Sequence, residues 1–102
     1  MRIVGDRDLI DSSGELKSAL AVILKLGFDP VDFDFEVYRL SERRPRGARS
    51  AVIRYAVAVS NRRTGRGAVL AGGHGEAWVE KLGEKLRAGQ FGPPVRPPKR
   101  EH

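Results

Sequence analysis

The apolar positions fall first into a helical rhythm. Leu16, Ala19, Leu20, Val22, Ile23, Leu24 and Leu26 form a run too apolar for a fully exposed helix, and Ser12 with Glu15 three residues on reads as a capping box. Gly27 is a natural left-handed stop, Phe28 can fold back on the last turn, and Pro30 forbids continuation, so a first helix is predicted over residues 13–26. From Val31 the period changes to two. Val31, Phe33, Phe35 and Val37 share one face while Asp32, Asp34 and Glu36 share the other, the pattern of a half-buried strand. The stretch from Ser41 to Ser50 has no apolar period and contains Pro and Gly, so an exposed loop is expected there.

A second strand is predicted from Ala51 to Ser60, with Ala51, Ile53, Tyr55, Val57 and Val59 on one face. Its other face, Val52, Arg54, Ala56 and Ala58, is small rather than polar, which suits a central strand partly covered on both sides. Asn61-Arg62-Arg63-Thr64-Gly65 has the residues of a tight hairpin, and a shorter third strand runs from Arg66 to Ala71. Trp78, Val79, Leu82 and Leu86 then recur at helical spacing, which predicts a second helix over residues 75–88. The order is that of an α+β two-layer domain, α-β-β-β-α, with a three-stranded antiparallel sheet covered by two helices. Residues 2–4 are an alternative fourth, edge strand. The domain is expected to span residues 1–91, and the Pro- and Arg-rich residues 92–102 to form an extended tail.

Composition narrows the chemistry. The chain has 102 residues, 40% of them hydrophobic, enough for one modest core. With no Cys there is no disulfide framework, thiolate metal site or cysteine nucleophile, and a reducing, cytoplasmic setting is expected. The longest apolar stretch, Leu16 to Leu26, is interrupted by Lys17 and Lys25, so no membrane span is expected. The start of the chain reaches Asp6 without the apolar region of a secretory signal.

The net charge of +6 is unevenly spread. Residues 1–38 carry four basic and eight acidic side chains, whereas residues 39–102 carry fifteen and five. Between 39 and 66 stand nine Arg, namely Arg39, Arg43, Arg44, Arg46, Arg49, Arg54, Arg62, Arg63 and Arg66, against the single Glu42. The guanidinium fork holds phosphate or carboxylate through two hydrogen bonds, so the block suits an anionic partner. Three readings stand open: contact with a nucleic-acid backbone, a default surface cation, and pairing with the acidic first strand within one fold or across a dimer. In a meander the 41–50 loop and the 61–65 turn lie at opposite ends of the sheet, so one continuous patch would need Arg54 to bridge them.

Gly72-Gly73-His74-Gly75 joins a strand to a helix, where free amides attract anions, so Gly73, His74 and Gly75 are a candidate anion site. Its spacing matches no phosphate-binding fingerprint, and Glu76 follows directly, which favours a plain connection. His74 could serve as a general base, although nothing in the sequence supplies it with a nucleophile or an orienting carboxylate. Two His without Cys give no metal-ligand spacing, and Asp6, Asp8 and Asp11 read as a solvated lead-in to the helix rather than a calcium loop. Trp78, Phe33 and Phe35 are assigned to the core, and no exposed aromatic row is evident, which argues against single-strand binding by stacking and leaves backbone electrostatics. Pro94-Val95-Arg96-Pro97-Pro98-Lys99 has the spacing of a proline-rich ligand, beside the readings of a basic arm or a passive tail.

The helix, three-strand, helix order over residues 13–89, with Arg44-Pro45-Arg46-Gly47 in the first loop, resembles the double-stranded RNA-binding domain. That resemblance implies phosphate contact from the loop. It departs from the family at the start of the second helix, Gly75-Glu76-Ala77-Trp78, where a lysine-rich start is expected. Leu20 to Phe28 is similar to the first helix of the HicA-type ribonuclease toxins, but their catalytic His is replaced by the run Ala48-Arg49-Ser50-Ala51. The leading expectation is therefore a non-enzymatic module that binds nucleic acid through Arg43, Arg44, Arg46, Arg49, Arg54, Arg62, Arg63 and Arg66. The alternative is a regulator or inhibitor of phage or mobile-element type that meets an acidic protein surface with the same face. A ribonuclease centred on His74 comes third. No cofactor is called for, and the chain is expected as a monomer or homodimer.

Overall fold

The computed structural model describes residues 1–40, 54–73 and 77–95. Strand β1 (Arg2–Gly5) leads through a one-turn helix α1 (Asp8–Asp11) into helix α2 (Glu15–Lys25). A 3-10 turn, Pro30–Asp32, opens strand β2 (Phe33–Arg39), followed by β3 (Arg54–Asn61), β4 (Arg66–Gly73) and helix α3 (Trp78–Arg87). The sheet has four strands in the order β1-β2-β3-β4, and β1 runs parallel to β2 while the other pairs are antiparallel. The α+β class stands, but the three-stranded antiparallel sheet is corrected to a four-stranded mixed one. A parallel neighbour needs a crossover, and α1 with α2 supplies it. In β1 only Ile3 and Val4 are strongly apolar, so the pairing of Ile3 with Phe35, rather than local pattern, makes this strand.

Local chemistry sets the boundaries. Ser12 is not the cap of the long helix, because its hydroxyl donates back to Asp8 O at 2.6 Å and closes α1. The residue that opens the helix is Gly14 at φ +79°, with no side-chain cap, and Ser13 ahead of it accepts at Oγ from Glu15 N at 3.4 Å and donates to Glu15 Oε1 at 2.9 Å, so the expected capping box from Ser12 to Glu15 does not form. At the other end Gly27 adopts φ +89°, Phe28 N–H reaches Ile23 O at 3.0 Å and Gly27 N–H reaches Leu24 O at 3.1 Å, a Schellman closure that turns Phe28 into the core. The 3-10 turn takes Val31 out of the expected strand, with Asp29 Oδ1 capping Val31 N at 3.1 Å.

Both long helices cover one face of the sheet. Leu16, Ala19 and Ile23 of α2 and Trp78, Leu82 and Leu86 of α3 meet Phe33, Phe35, Val37, Val57, Val59 and Leu70 in one core. Phe91, four residues beyond α3, is fully buried against Phe33 with ring centroids 5.7 Å apart. The other sheet face carries Asp34, Glu36 and Tyr38 of β2, Arg54, Ala56, Ala58 and Ser60 of β3, and Val69 and Ala71 of β4. No described helix or strand packs on it. The expectation of a central second strand partly covered on both faces holds: β3 lies between β2 and β4, and on this face Ala56 is buried and Ala58 half-buried, although no described helix lies over them.

Candidate functional site

The expected Arg block separates into two ends of the sheet. Arg39 and Arg54 stand where β2 ends and β3 begins, whereas Arg62, Arg63 and Arg66 surround the β3–β4 turn. Eight strand residues at about 3.4 Å each put these ends about 27 Å apart. Arg43, Arg44, Arg46 and Arg49 lie outside the described residues, as do His74 and Gly75 of the candidate anion site. Gly73 is the last residue of β4.

At the turn the guanidinium groups face their own fold. Arg62 Nε pairs with Asp34 Oδ1 at 3.3 Å and an Arg62 Nη donates to Val31 O. Arg63 Nε lies 3.9 Å from Asp32 Oδ2, and its Nη2 donates to Pro93 O at 2.9 Å. Arg66 Nη1 reaches Gly89 O at 3.4 Å, beside the carbonyl end of α3. The turn is thus a clamp on the acidic start of β2 and on the segment after α3. Asn61, the one buried polar side chain of this region, completes it: Nδ2 donates to Phe91 O at 3.0 Å while Oδ1 accepts from Arg63 N at 3.0 Å. Thr64 Oγ1 donates to the same Phe91 oxygen at 2.9 Å. Each of these half-exposed ion pairs adds at most about 1 kcal/mol, but the hydrogen bonds around them fix the geometry of the turn.

Arg39 and Arg54 differ. Both are exposed, and neither makes an ion pair with a described residue. The ladder continues to them through Leu40 N to Arg54 O at 2.9 Å, so a rigid strand pair presents both. Tyr38 and Leu40 stand beside Arg54 and are each 40% exposed. Tyr38 was not singled out from the sequence; its alternation with Asp34 and Glu36 is the signal that points to an aromatic on the open face.

The described residues also form concave surfaces. A groove of about 530 Å³ runs between α2 and α3, lined by Glu15, Ser18, Val22, Val79, Gly83 and Arg87 among others. Beneath its head, Glu15 Oε1 accepts from both Ser13 Oγ and Tyr55 Oη. Burial first, and the Glu15 carboxylate second, push the Tyr55 phenol up to about 12, so it is a fixed donor and no base. The buried indole N–H of Trp78 lies near that phenol without a hydrogen bond of normal geometry and pulls its pKa back a little. A shallower hollow of about 390 Å³ on the open sheet face is bordered by Arg2, Val4, Asp34, Glu36, Ala58 and Ser60. Among the described residues no cluster of three His, Asp or Glu side chains could hold a metal ion, and no described helix is long and apolar enough to cross a membrane.

No protein-family model, no curated protein and no solved structure matches this chain. The likeness to the double-stranded RNA-binding domain is one of element order, and β1 adds a parallel strand to that order.

Proposed function

We propose that this protein is a small non-enzymatic module that contacts the nucleic-acid backbone through the cationic end of its sheet, where β2 and β3 lead into residues 41–53. One observation carries the reading. Arg39 and Arg54 are exposed without an acidic partner among the described residues, while the Arg at the opposite end are taken up by Asp32, Asp34 and backbone carbonyls. The segment between them adds Arg43, Arg44, Arg46 and Arg49 against Glu42 alone. Phosphates neutralised by such a cluster release counterions, and binding then weakens steeply with salt. Arg62, Arg63 and Arg66 are better read as parts of the fold.

A titration of binding against salt tests this. The double substitution Arg39→Ala with Arg54→Ala is expected to flatten the slope of log K against log salt by up to about 2, at about 0.9 per lost phosphate contact on duplex DNA. An unchanged slope overturns the assignment. A second reading, a regulator or inhibitor that meets an acidic protein surface with the same Arg face, has the apolar Val69, 63% exposed on the open sheet face, as a further contact for a protein partner. Capture of a partner from nuclease-treated lysate that survives the treatment would favour it.

A further inference from the structure

The open sheet face is polarised along its length. At one end Asp34 is paired with Arg62 and Glu36 stands exposed, and at the other Arg54 is exposed, with Tyr38, 40% exposed, between them. In register beside Tyr38 come Ala56, which is buried, and then the exposed Ala71, so the side chains directly across β3 and β4 from Tyr38 are methyl groups. Arg54 is the diagonal neighbour of Tyr38, about 7 Å away in an antiparallel pair. Leu40, on the same face, extends the apolar border to the end of the ladder.

We infer that this end of the face receives an unpaired nucleotide, the base stacked on Tyr38 and the adjoining phosphate held by Arg54, so that the preferred ligand is single-stranded. The inference rests on the nucleic-acid reading above and specifies its substrate class. Base–aromatic stacking needs a base free of its duplex neighbours, whereas backbone contact alone does not. An exposed aromatic ring with only small side chains across β3 and β4 suits a flat heterocycle, and a cation one nucleotide's reach away suits its phosphate. Glu36, two residues before Tyr38 on the same strand and exposed, repels phosphate and so favours the Arg54 side of the ring. One stacked base is therefore the expected extent of the site on this face, and sequence preference is expected to be slight because every base has a π-face.

The test is fluorescence anisotropy with labelled oligo(U) and oligo(dT) of about ten nucleotides, and with a mixed-sequence duplex, on the full chain at low salt. The wild type is expected to bind the single strands more tightly. Tyr38→Ala is expected to weaken single-strand binding about tenfold, the size of one base–aromatic stack, with duplex binding unchanged; Tyr38→Phe should restore the single-strand affinity. Tyr38 is exposed, and thermal unfolding of the variants verifies their fold. Equal single-strand affinity for wild type and Tyr38→Ala overturns the inference, while a loss in Arg54→Ala alone keeps the backbone reading. No binding of any oligonucleotide, or binding of poly-glutamate in its place, overturns both.

Discussion

The ionisation of the Tyr55 phenol is displaced by the fold, and its hydroxyl links the sheet to the head of α2. Its pKa rises from 10.0 to about 12, chiefly through burial and then through Glu15, so the folded state holds the proton more tightly than the unfolded chain. The resulting stability is fully present below pH 10.0 and is lost as the pH climbs from there to about 12. Denaturant unfolding across that window is expected to show a steeper loss for the wild type than for Tyr55→Phe, and equal slopes would contradict the account. Glu15→Gln should bring the tyrosinate absorbance transition back toward ordinary phenol values. Tyr55 was legible as a core-facing strand residue, but its hydroxyl's partner lies forty residues earlier, beyond the reach of any local pattern. The same limit applies to Arg62 and Arg63. Their sequence neighbours are basic or neutral, and only the register of β2 with β3 brings Asp34 and Asp32 to them.

Elements with a strong period were read correctly in kind, and their ends moved where a side chain or a backbone crossing decided the matter. The glycines after β4 illustrate this. Gly72 pairs with Tyr55 across the ladder, and a Cβ at Gly72 would overlap the Tyr55 ring. At least this glycine of the Gly72-Gly73-His74-Gly75 run is therefore explained by close packing of an aromatic against backbone, with no anion required. Gly72→Ala is expected to destabilise the protein by about 1–3 kcal/mol through overpacking, lowering the melting temperature by several degrees. Calorimetry that finds no drop would show that the ring can move aside. The expected capping box failed because Ser12 donates to the carbonyl of Asp8 and closes α1, a helix too short to announce itself by periodicity, which leaves Gly14 to open the long helix. β1 escaped the antiparallel expectation for a similar reason, since four residues leave no period to read.

At the scale of the whole molecule, the described residues bring opposite charge together at the β3–β4 turn and leave Arg39 and Arg54 exposed at the far end of the sheet. Composition revealed the imbalance along the chain, but which Arg meet acids of the fold is set by the pairing of β2 with β3. The clamp at the paired end also recruits Phe91, whose ring fills the core against Phe33 while its carbonyl accepts from Asn61 and Thr64. Phe91→Ala is expected to cost about 3–5 kcal/mol, a large share of what a domain of this size has in reserve. A variant with unchanged urea midpoint would refute that role. Because Phe91 fills an interior framed by elements that all precede it, a chain cut after Gly89 would keep every described strand and helix in its sequence yet lose the ring that seals them together.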